Sequence, residues 1–335
     1  MPPRYPLSIV IPVHNEEAVL SILFNELETT CSELLKAYSP IEIVLVDDGS
    51  TDRSWEIIED QCQRRTSWIG VQLSRNFGHQ SALVAGLEIA RGESVVTMDA
   101  DMQDPPALIL QMLDAQLQGY DVVYATRRER GEESFTKHFT AHLFYFLIRK
   151  ISGVPIPANT GDFRLLSRRA LTELCRLKET HRFLRGMVPW IGFPQTQVHY
   201  DRDDRAAGET HYPFRKMLRL AFDGIASMSA APLRLAYILS LLLFSVFVGY
   251  IIFVIIKHTV WGGVLVPGWI SIMSAITIFG TIQLILLGVF GEYLGRIYEQ
   301  SKNRPLYIIQ SIAQSQTTLL ADKRQPHQIK ADQNK

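Results

Sequence analysis

The sequence predicts an α/β fold, a mostly parallel sheet covered by helices on both faces, followed by two transmembrane helices. Short β-branched runs alternate with helix-periodic segments in the first part of the chain, which is the pattern of a doubly covered parallel sheet. Polar and acidic residues collect at successive strand ends, where ligands bind in open α/β sheets. From Leu235 onward the composition changes to long charge-free runs.

The chain has 335 residues, 47% of them hydrophobic, enough for one large or two ordinary domains with a substantial core. Lys+Arg and Asp+Glu balance at 34 each, so the global charge points to no acidic or nucleic-acid partner. The three cysteines, Cys31, Cys62 and Cys175, are widely spaced and form no CxxC pair, which suits small core residues in a reducing compartment. Met1 to Pro6 is too short and polar for a secretory signal, and the N-terminal domain is expected to fold in the cytosol.

Leu7 to Ile11 reads as a strand ending in PVHNEE, and the helix that follows carries Val19, Leu20, Leu23 and Leu27. Ile41 to Val46 repeats the unit and ends in DDGSTD. There Gly49 permits a tight turn, and Ser50 or Thr51 with Asp52 can cap the next helix. Ile69 to Leu73 leads into SRNFGHQSALVAGLEIA. Val95 to Met98 is a buried strand that ends in Asp99, Asp101 and Asp104, with Gln103 among them. Asp-x-Asp with a nearby amide oxygen can supply part of the shell of a hard divalent cation that keeps positions for substrate phosphates. The alternative is a solvated acidic turn capping a helix that begins near Pro105. Asp121 to Ala125 is a fifth strand, ending in Arg127 and Arg128. No G-x-G-x-x-G or G-x-x-x-x-G-K-[ST] follows any strand, so bound phosphates must be held by metal and side chains.

Glu133 to Ile151 has helical period and many aromatics, and fits either a membrane-interface helix or a core-facing amphipathic one. In NTGDFRLLSRRAL, Asp162 follows Gly161 in a loop and Phe163 to Leu166 form a further strand. A helix is expected around Phe183 and Met187, then a strand and a polar loop with the cationic cluster Arg202, Arg205, His211, Arg215 and Lys216. Phe214 to Met228 is a second amphipathic helix. Leu235 to Ile256 and Val264 to Phe290 are charge-free, each enough to cross a bilayer core that takes about 20 apolar residues. Basic residues flank the outer ends, Arg215, Lys216, Arg219 and Arg234 before the first span and Arg296, Lys302 and Arg304 after the second. The linker holds only Lys257 and His258. The positive-inside rule therefore places the large domain and both termini on the cytoplasmic side. The domains expected are 1–212, with the interfacial helix at about 133–151, a juxtamembrane helix at 213–231, a hairpin at 233–291 and a tail at 292–335 that is disordered beyond about 310.

Six motifs, IVIPVHNEE, VDDGSTD, RNFGHQSALVAG, MDADMQDPP, GDFRLLSRRAL and DRAAGETHYPFRKM, resemble in this order the polyisoprenyl-phosphate glycosyltransferases. These are inverting family 2 enzymes of GT-A fold, and the two C-terminal spans are similar to those of the bacterial undecaprenyl-phosphate glucosyltransferase branch. The resemblance implies a metal-dependent hexosyltransferase in the bacterial inner membrane. It would use Mg²⁺ or Mn²⁺ to move a sugar from a nucleotide sugar, UDP-glucose before GDP-mannose, UDP-GlcNAc or a modified pentose donor, to a polyprenyl phosphate in the lipid. It leaves a homo-oligomer open and implies no nucleic acid. A membrane-anchored nucleotide-sugar binding protein without turnover is the alternative from another class.

By the same resemblance Pro12, His14, Asn15, Glu16, Asp48, Asn76, Gln80, Asp99, Ala100 and Asp101, with Arg202, Arg205 and His211, hold the nucleotide sugar. Asp99, Asp101 and Gln103 hold the metal, and Asp101 also serves catalysis. Arg202, Arg205 and His211 belong to a loop that closes over the diphosphate, with Arg205 counted as catalytic. Arg127, Arg130, Lys137 and His138 meet the lipid phosphate. Asp162 orients the acceptor or takes a residual proton, or else caps or pairs with Arg164. His211 stands where many relatives have Lys, and the Q-x-x-R-W signature of processive synthases is absent.

Overall fold

The computed structural model describes residues 6–34, 38–127, 160–200, 229–261 and 268–315. The chain divides into two compact units, one of Met1–Phe146, Val154–Tyr212 and Pro305–Lys335, the other of Leu147–Gly153 and Pro213–Arg304. The expected helix near 133–151, the basic loop from Arg202 to Lys216 and the helix from Phe214 to Met228 lie outside the described residues.

The first unit holds the sheet. Its strands are β1 (Leu7–Val13), β2 (Ile41–Asp47), β3 (Trp68–Leu73), β4 (Ser94–Thr97), β5 (Val122–Arg127), β6 (Thr160–Ser167), β7 (Gln195–Tyr200) and β8 (Ile309–Ala313). Their order across the sheet is β7-β5-β6-β4-β1-β2-β3-β8. The pairs β1/β2, β1/β4, β2/β3 and β5/β7 are parallel, while β4/β6, β5/β6 and β3/β8 are antiparallel. The sheet is thus mostly parallel, as expected, with β6 inserted the other way between β4 and β5. The strand order reverses at β1, with β2 and β3 on one side and β4 on the other, and this is where open α/β sheets form a ligand crevice.

Every residue of β1 and β2 is buried, which follows from helices lying on both faces and suits their largely apolar runs, in which Ser8 donates to the buried Glu42 carboxylate. Strand periodicity divides the core in two. Leu7, Ile9, Ile11 and Val13 pack with α1 (Glu17–Leu34), α2 (Ser54–Arg64) and α4 (Leu108–Leu117). Val10, Val44 and Val46 pack with α3 (His79–Ile89), α5 (Arg168–Arg176) and α6 (Leu184–Trp190). Gly86 lets α3 approach closely, since a Cβ there would lie 2.3 Å from Val10 Cγ1. Cys31 and Cys62 are buried in the core, as small apolar side chains.

The end of the chain differs from the sequence reading. Part of Ile309–Ala313 was expected to be disordered, yet this segment is the edge strand β8, paired with β3 from Gly70↔Ala313 to Leu73↔Ile309. Leu306 and Tyr307 pack on the α3 side of the core, and the Tyr307 hydroxyl donates to Glu88 Oε2 at 2.6 Å. A polar, Gln- and Ser-containing sequence conceals an edge strand, because only one of its sides needs a partner. Helix α4 begins at Leu108, after a turn whose Pro105 and Pro106 carbonyls accept from the Leu108 and Ile109 amides.

The second unit contains α7 (Ala231–Trp261) and α8 (Trp269–Ser301), both longer than the charge-free runs that predict them. The Tyr293 hydroxyl donates to the Ser229 carbonyl at 2.7 Å, and Phe247 meets Phe279 edge-on at 5.6 Å. The start of α7 thus lies by the end of α8, as in an antiparallel hairpin. Large apolar side chains such as Phe244, Tyr250, Ile276, Leu284 and Phe290 are exposed along both. Among the described residues one segment, Ala275–Ser301, is long and apolar enough to cross a membrane; Ala236–Tyr250 is a shorter apolar stretch.

Candidate active site

At the reversal point the ends of β1, β2, β3 and β4 surround a cleft of about 270 Å³. It is lined by Pro12, Val13, His14, Glu16, Asp48, Asn76, Gly78, His79, Ala82, Asp99, Ala100 and Asp101. Of the residues assigned to the nucleotide sugar, Pro12, His14, Glu16, Asp48, Asn76, Asp99, Ala100 and Asp101 come together there.

The loops that shape the cleft are fastened to one another. Asn15, at φ +57, donates its amide N–H to Ser50 Oγ at 3.0 Å and accepts from the Thr51 amide at 2.8 Å. Glu16 and Glu17 amides donate to Ser54 Oγ and Asp52 Oδ2. Asn15 therefore ties the β1–α1 loop to the β2–α2 loop rather than lining the cleft. Asp48, buried at the end of β2, accepts from the Phe77 and Gly78 amides at 2.7 and 2.9 Å and fixes the turn that opens α3. Gly49, at φ +62, lets that turn pass, because a Cβ there would lie 2.4 Å from the Arg75 carbonyl carbon. His14 Nδ1 lies 3.0 Å from the Asp48 carbonyl, which can only accept, so Nδ1 carries the proton. Its Nε2 then accepts from the Asn76 amide at 3.0 Å, giving one fixed tautomer on the cleft floor.

The three acids after β4 have three different settings. Asp104 is buried, accepting from the Asp99 amide at 3.3 Å and from the Tyr200 hydroxyl at 3.1 Å, and so holds the turn. Asp101 is exposed and accepts from the Gln103 amide at 3.2 Å across Met102, whose φ is +60. Asp99 has a buried Oδ1 with no hydrogen-bond partner among the described residues. Burial pushes its carboxyl up to about 6, His79 offsets part of this, and the negative charges of Asp104, Asp162 and Asp101 add to it. A desolvated carboxylate among like charges is what a cation relieves. Among the described residues no three His, Cys, Asp or Glu side chains form a closed metal cage. The donor set is instead open, two hard carboxylates whose partners would come from phosphates and water, which fits Mg²⁺ or Mn²⁺. Gln103 lies beside this turn but outside the cleft lining.

Beside the acids, on β6, Asp162 is only 4% exposed. It accepts from Arg164 at 2.6 Å, from Arg185 Nη2 and Nε at 3.2 and 3.4 Å, from His79 Nε2 at 3.2 Å and from Gln80 at 3.5 Å. Burial alone would raise its pKa, but the His79 hydrogen bond and the charges of Arg164 and Arg185 outweigh it and hold the carboxyl well below the usual range. Asp162 is thus a paired anion and a weak base. Gln80 reaches away from the cleft, its Oε1 accepting from the Leu184 amide at 3.2 Å, and so joins α3 to α6. Arg127 ends β5. Arg130, Lys137, His138, Arg202, Arg205 and His211 lie outside the described residues.

Residues 8–175 match the family model described as Glycosyl transferase family 2. The chain belongs to that family. It is 44% identical over 303 residues to the uncharacterized glycosyltransferase YkcC of Bacillus subtilis, covering 90% of this chain and 93% of that one. It is 37% identical over 306 residues to the prophage bactoprenol glucosyl transferase homolog of Escherichia coli K12, covering 91% and 99%. Among solved structures it is similar to a glucosyl-3-phosphoglycerate synthase from Mycobacterium tuberculosis in complex with Mn²⁺, UDP-glucose and phosphoglyceric acid. There the TM-score is 0.44 and the identity 18%, over 66% of this chain and 78% of that one. The protein is a glycosyltransferase.

Two residues of this family 2 enzyme escape sequence reasoning. His79 opens α3 at a strand-end turn, the same position class as the residues that were found. Arg185 is a lone cation within the apolar stretch FLRGMVPWI, and that isolation was its signal.

Proposed function

We propose that the enzyme transfers glucose from UDP-glucose to a polyprenyl phosphate at a membrane surface, inverting the anomeric carbon. The observation that carries this reading is that the Asp99–Asp101 turn lies in the same cleft as the residues expected to hold the nucleoside. The acceptor and the sugar are supported by relatives named bactoprenol glucosyl transferases, matched over 91% of this chain, including its helical unit.

The geometry supports the following roles. His14, with both ring nitrogens engaged by the Asp48 carbonyl and the Asn76 side chain, fixes Asn76 against the nucleoside on a floor that Asp48 holds rigid. Asp99 and Asp101 would hold the divalent cation, which when bound neutralises the departing diphosphate. A phosphate monoester with a second pKa of about 6 is already anionic near neutral pH, so it attacks without a strong base. This agrees with Asp162 being a weak one. Asp162 instead fixes Arg164, Arg185 and His79 beside the metal acids. Both α7 and α8 are assigned to the membrane, since their exposed apolar surface has no other solvent on offer. The basic residues outside the hairpin support a cytoplasmic sheet unit.

The test is a product assay with the full chain in lipid, offering UDP-glucose, GDP-mannose and UDP-GlcNAc with polyprenyl phosphate. Glucosylated lipid and UDP are expected. Pyrophosphate release, or a lipid product from another donor alone, would replace the reading.

A further inference from the structure

The turn that carries the metal acids is held from two sides. Met98 and Ala100 are buried and Met102 is partly buried, all in one core cluster, while half-buried Asp99 and exposed Asp101 between them bring their carboxylates to the cleft. The chain then bends at Met102, whose φ of +60 is a conformation that persists only where the surroundings over-determine it. Beyond the bend, Asp104 comes back to accept the Asp99 amide on Oδ2 at 3.3 Å. Its carboxylate is buried, and Oδ1 accepts from the Tyr200 hydroxyl at 3.1 Å. Tyr200 is the last residue of the edge strand β7 and is itself buried. Its ring belongs to the same core cluster as Met98 and Ala100, and it meets Phe163, the neighbour of Asp162, edge-on at 6.4 Å. Packing of the ring therefore fixes where the hydroxyl points. Asp104 and Tyr200 have other interactions as well, and this one joins β7 to the acidic turn. The nucleoside side of the cleft is tied separately, by the bonds among His14, Asp48, Asn76 and the Phe77–Gly78 turn. None of those bonds involves Tyr200 or Asp104.

Resting on the reading that Asp99 and Asp101 hold the divalent cation, we propose that Tyr200 is a positioning residue for that metal site. Its hydroxyl, acting through Asp104, presets the turn that presents the two acids. Ligands already in place bind more tightly than ligands that must first be ordered, so removal of this one bond should weaken the metal and spare the nucleoside.

Tyr200→Phe keeps the ring and removes only the hydroxyl. The full chain in lipid nanodiscs is titrated with UDP by calorimetry, without metal and at a series of Mn²⁺ concentrations, at a temperature where wild type and variant are both folded. In the wild type Mn²⁺ should raise the UDP affinity. In Tyr200→Phe the Mn²⁺ concentration that gives half of this rise is expected to be roughly tenfold higher, the scale of one hydrogen bond to a charged group. UDP affinity without metal should stay within about twofold. A tyrosine that only supports the fold would lower the unfolding temperature and move neither. In an Asp104→Asn background the hydroxyl no longer meets a carboxylate, so Tyr200→Phe should change the Mn²⁺ requirement there by less than about twofold. An Mn²⁺ requirement unchanged in Tyr200→Phe, an equal loss of metal-free UDP affinity, or effects of the two substitutions that add in full would overturn the role. A wild-type UDP affinity that Mn²⁺ does not alter would remove the metal site itself, and this role with it, before any substitution is compared.

Discussion

Asp99, Asp101, Asp104 and Asp162 are chemically alike, and their surroundings give each a different task. Asp101 is exposed and, among the described residues, hydrogen-bonded only to a neighbouring amide, so Asp101→Asn should leave stability within about 0.5 kcal/mol. It should abolish Mn²⁺ binding by calorimetry and lower transfer by more than about a hundredfold, the scale of a lost metal template. Full turnover at saturating Mg²⁺ would remove Asp101 from the metal site. Asp162→Asn should behave in the opposite way. It strands the buried Arg164 without a counter-charge, and breaking such a pair typically costs about 3 to 5 kcal/mol, so thermal unfolding should shift down by several degrees. A variant as stable as the wild type would show that Asp162 is held by the site rather than holding it. The identities of the acids were legible from their place after a strand, but their division of labour was not. Burial, the Tyr200 hydroxyl on Asp104, and His79 and Arg185 on Asp162 come from segments that no local pattern links, whereas Arg164, two residues from Asp162, was a legible partner.

Loops and edges carry the next level of the account. The β2–α2 turn depends on Gly49, whose positive φ and 2.4 Å approach to the Arg75 backbone exclude a side chain. Gly49→Ala should cost at least about 1 to 3 kcal/mol and weaken UDP binding, because Asp48 and the Phe77–Gly78 turn shift with it. Chemical denaturation and UDP calorimetry on one preparation would check both. At the other edge, ending the chain at Arg304 removes β8 and uncovers the β3 edge, which is then open to strand pairing with other chains. Faster hydrogen exchange in Gly70–Leu73 is expected, with association that depends on concentration; unchanged exchange would mean that β8 contributes little. Strands β1 to β5 were legible because parallel strands buried on both faces read as apolar runs. Strand β6 was read shorter than Thr160–Ser167 because its start is polar, and β8 was missed because an edge strand needs few apolar residues.

For the whole molecule, the sheet unit takes back the segment that follows the helical unit, with β7 and β8 at opposite edges of one sheet. If α7 and α8 form a membrane hairpin, a cysteine at Asn303, exposed just after α8, should react only from the face of the catalytic domain. One at Gly268, just before α8, should react only from the other face. Labelling of both positions from one side would remove a span. The central claim is that one cleft, at the reversal of the strand order, holds a nucleotide sugar and passes its sugar to a lipid phosphate. The most direct measurement is UDP release and lipid product by mass spectrometry, from the full chain with UDP-glucose and divalent metal, with and without polyprenyl phosphate. The prediction is equal amounts of UDP and glucosyl lipid, both requiring the lipid phosphate and both lost in Asp101→Asn. UDP released at the same rate without the lipid, or glucosyl lipid made undiminished by Asp101→Asn, would contradict it.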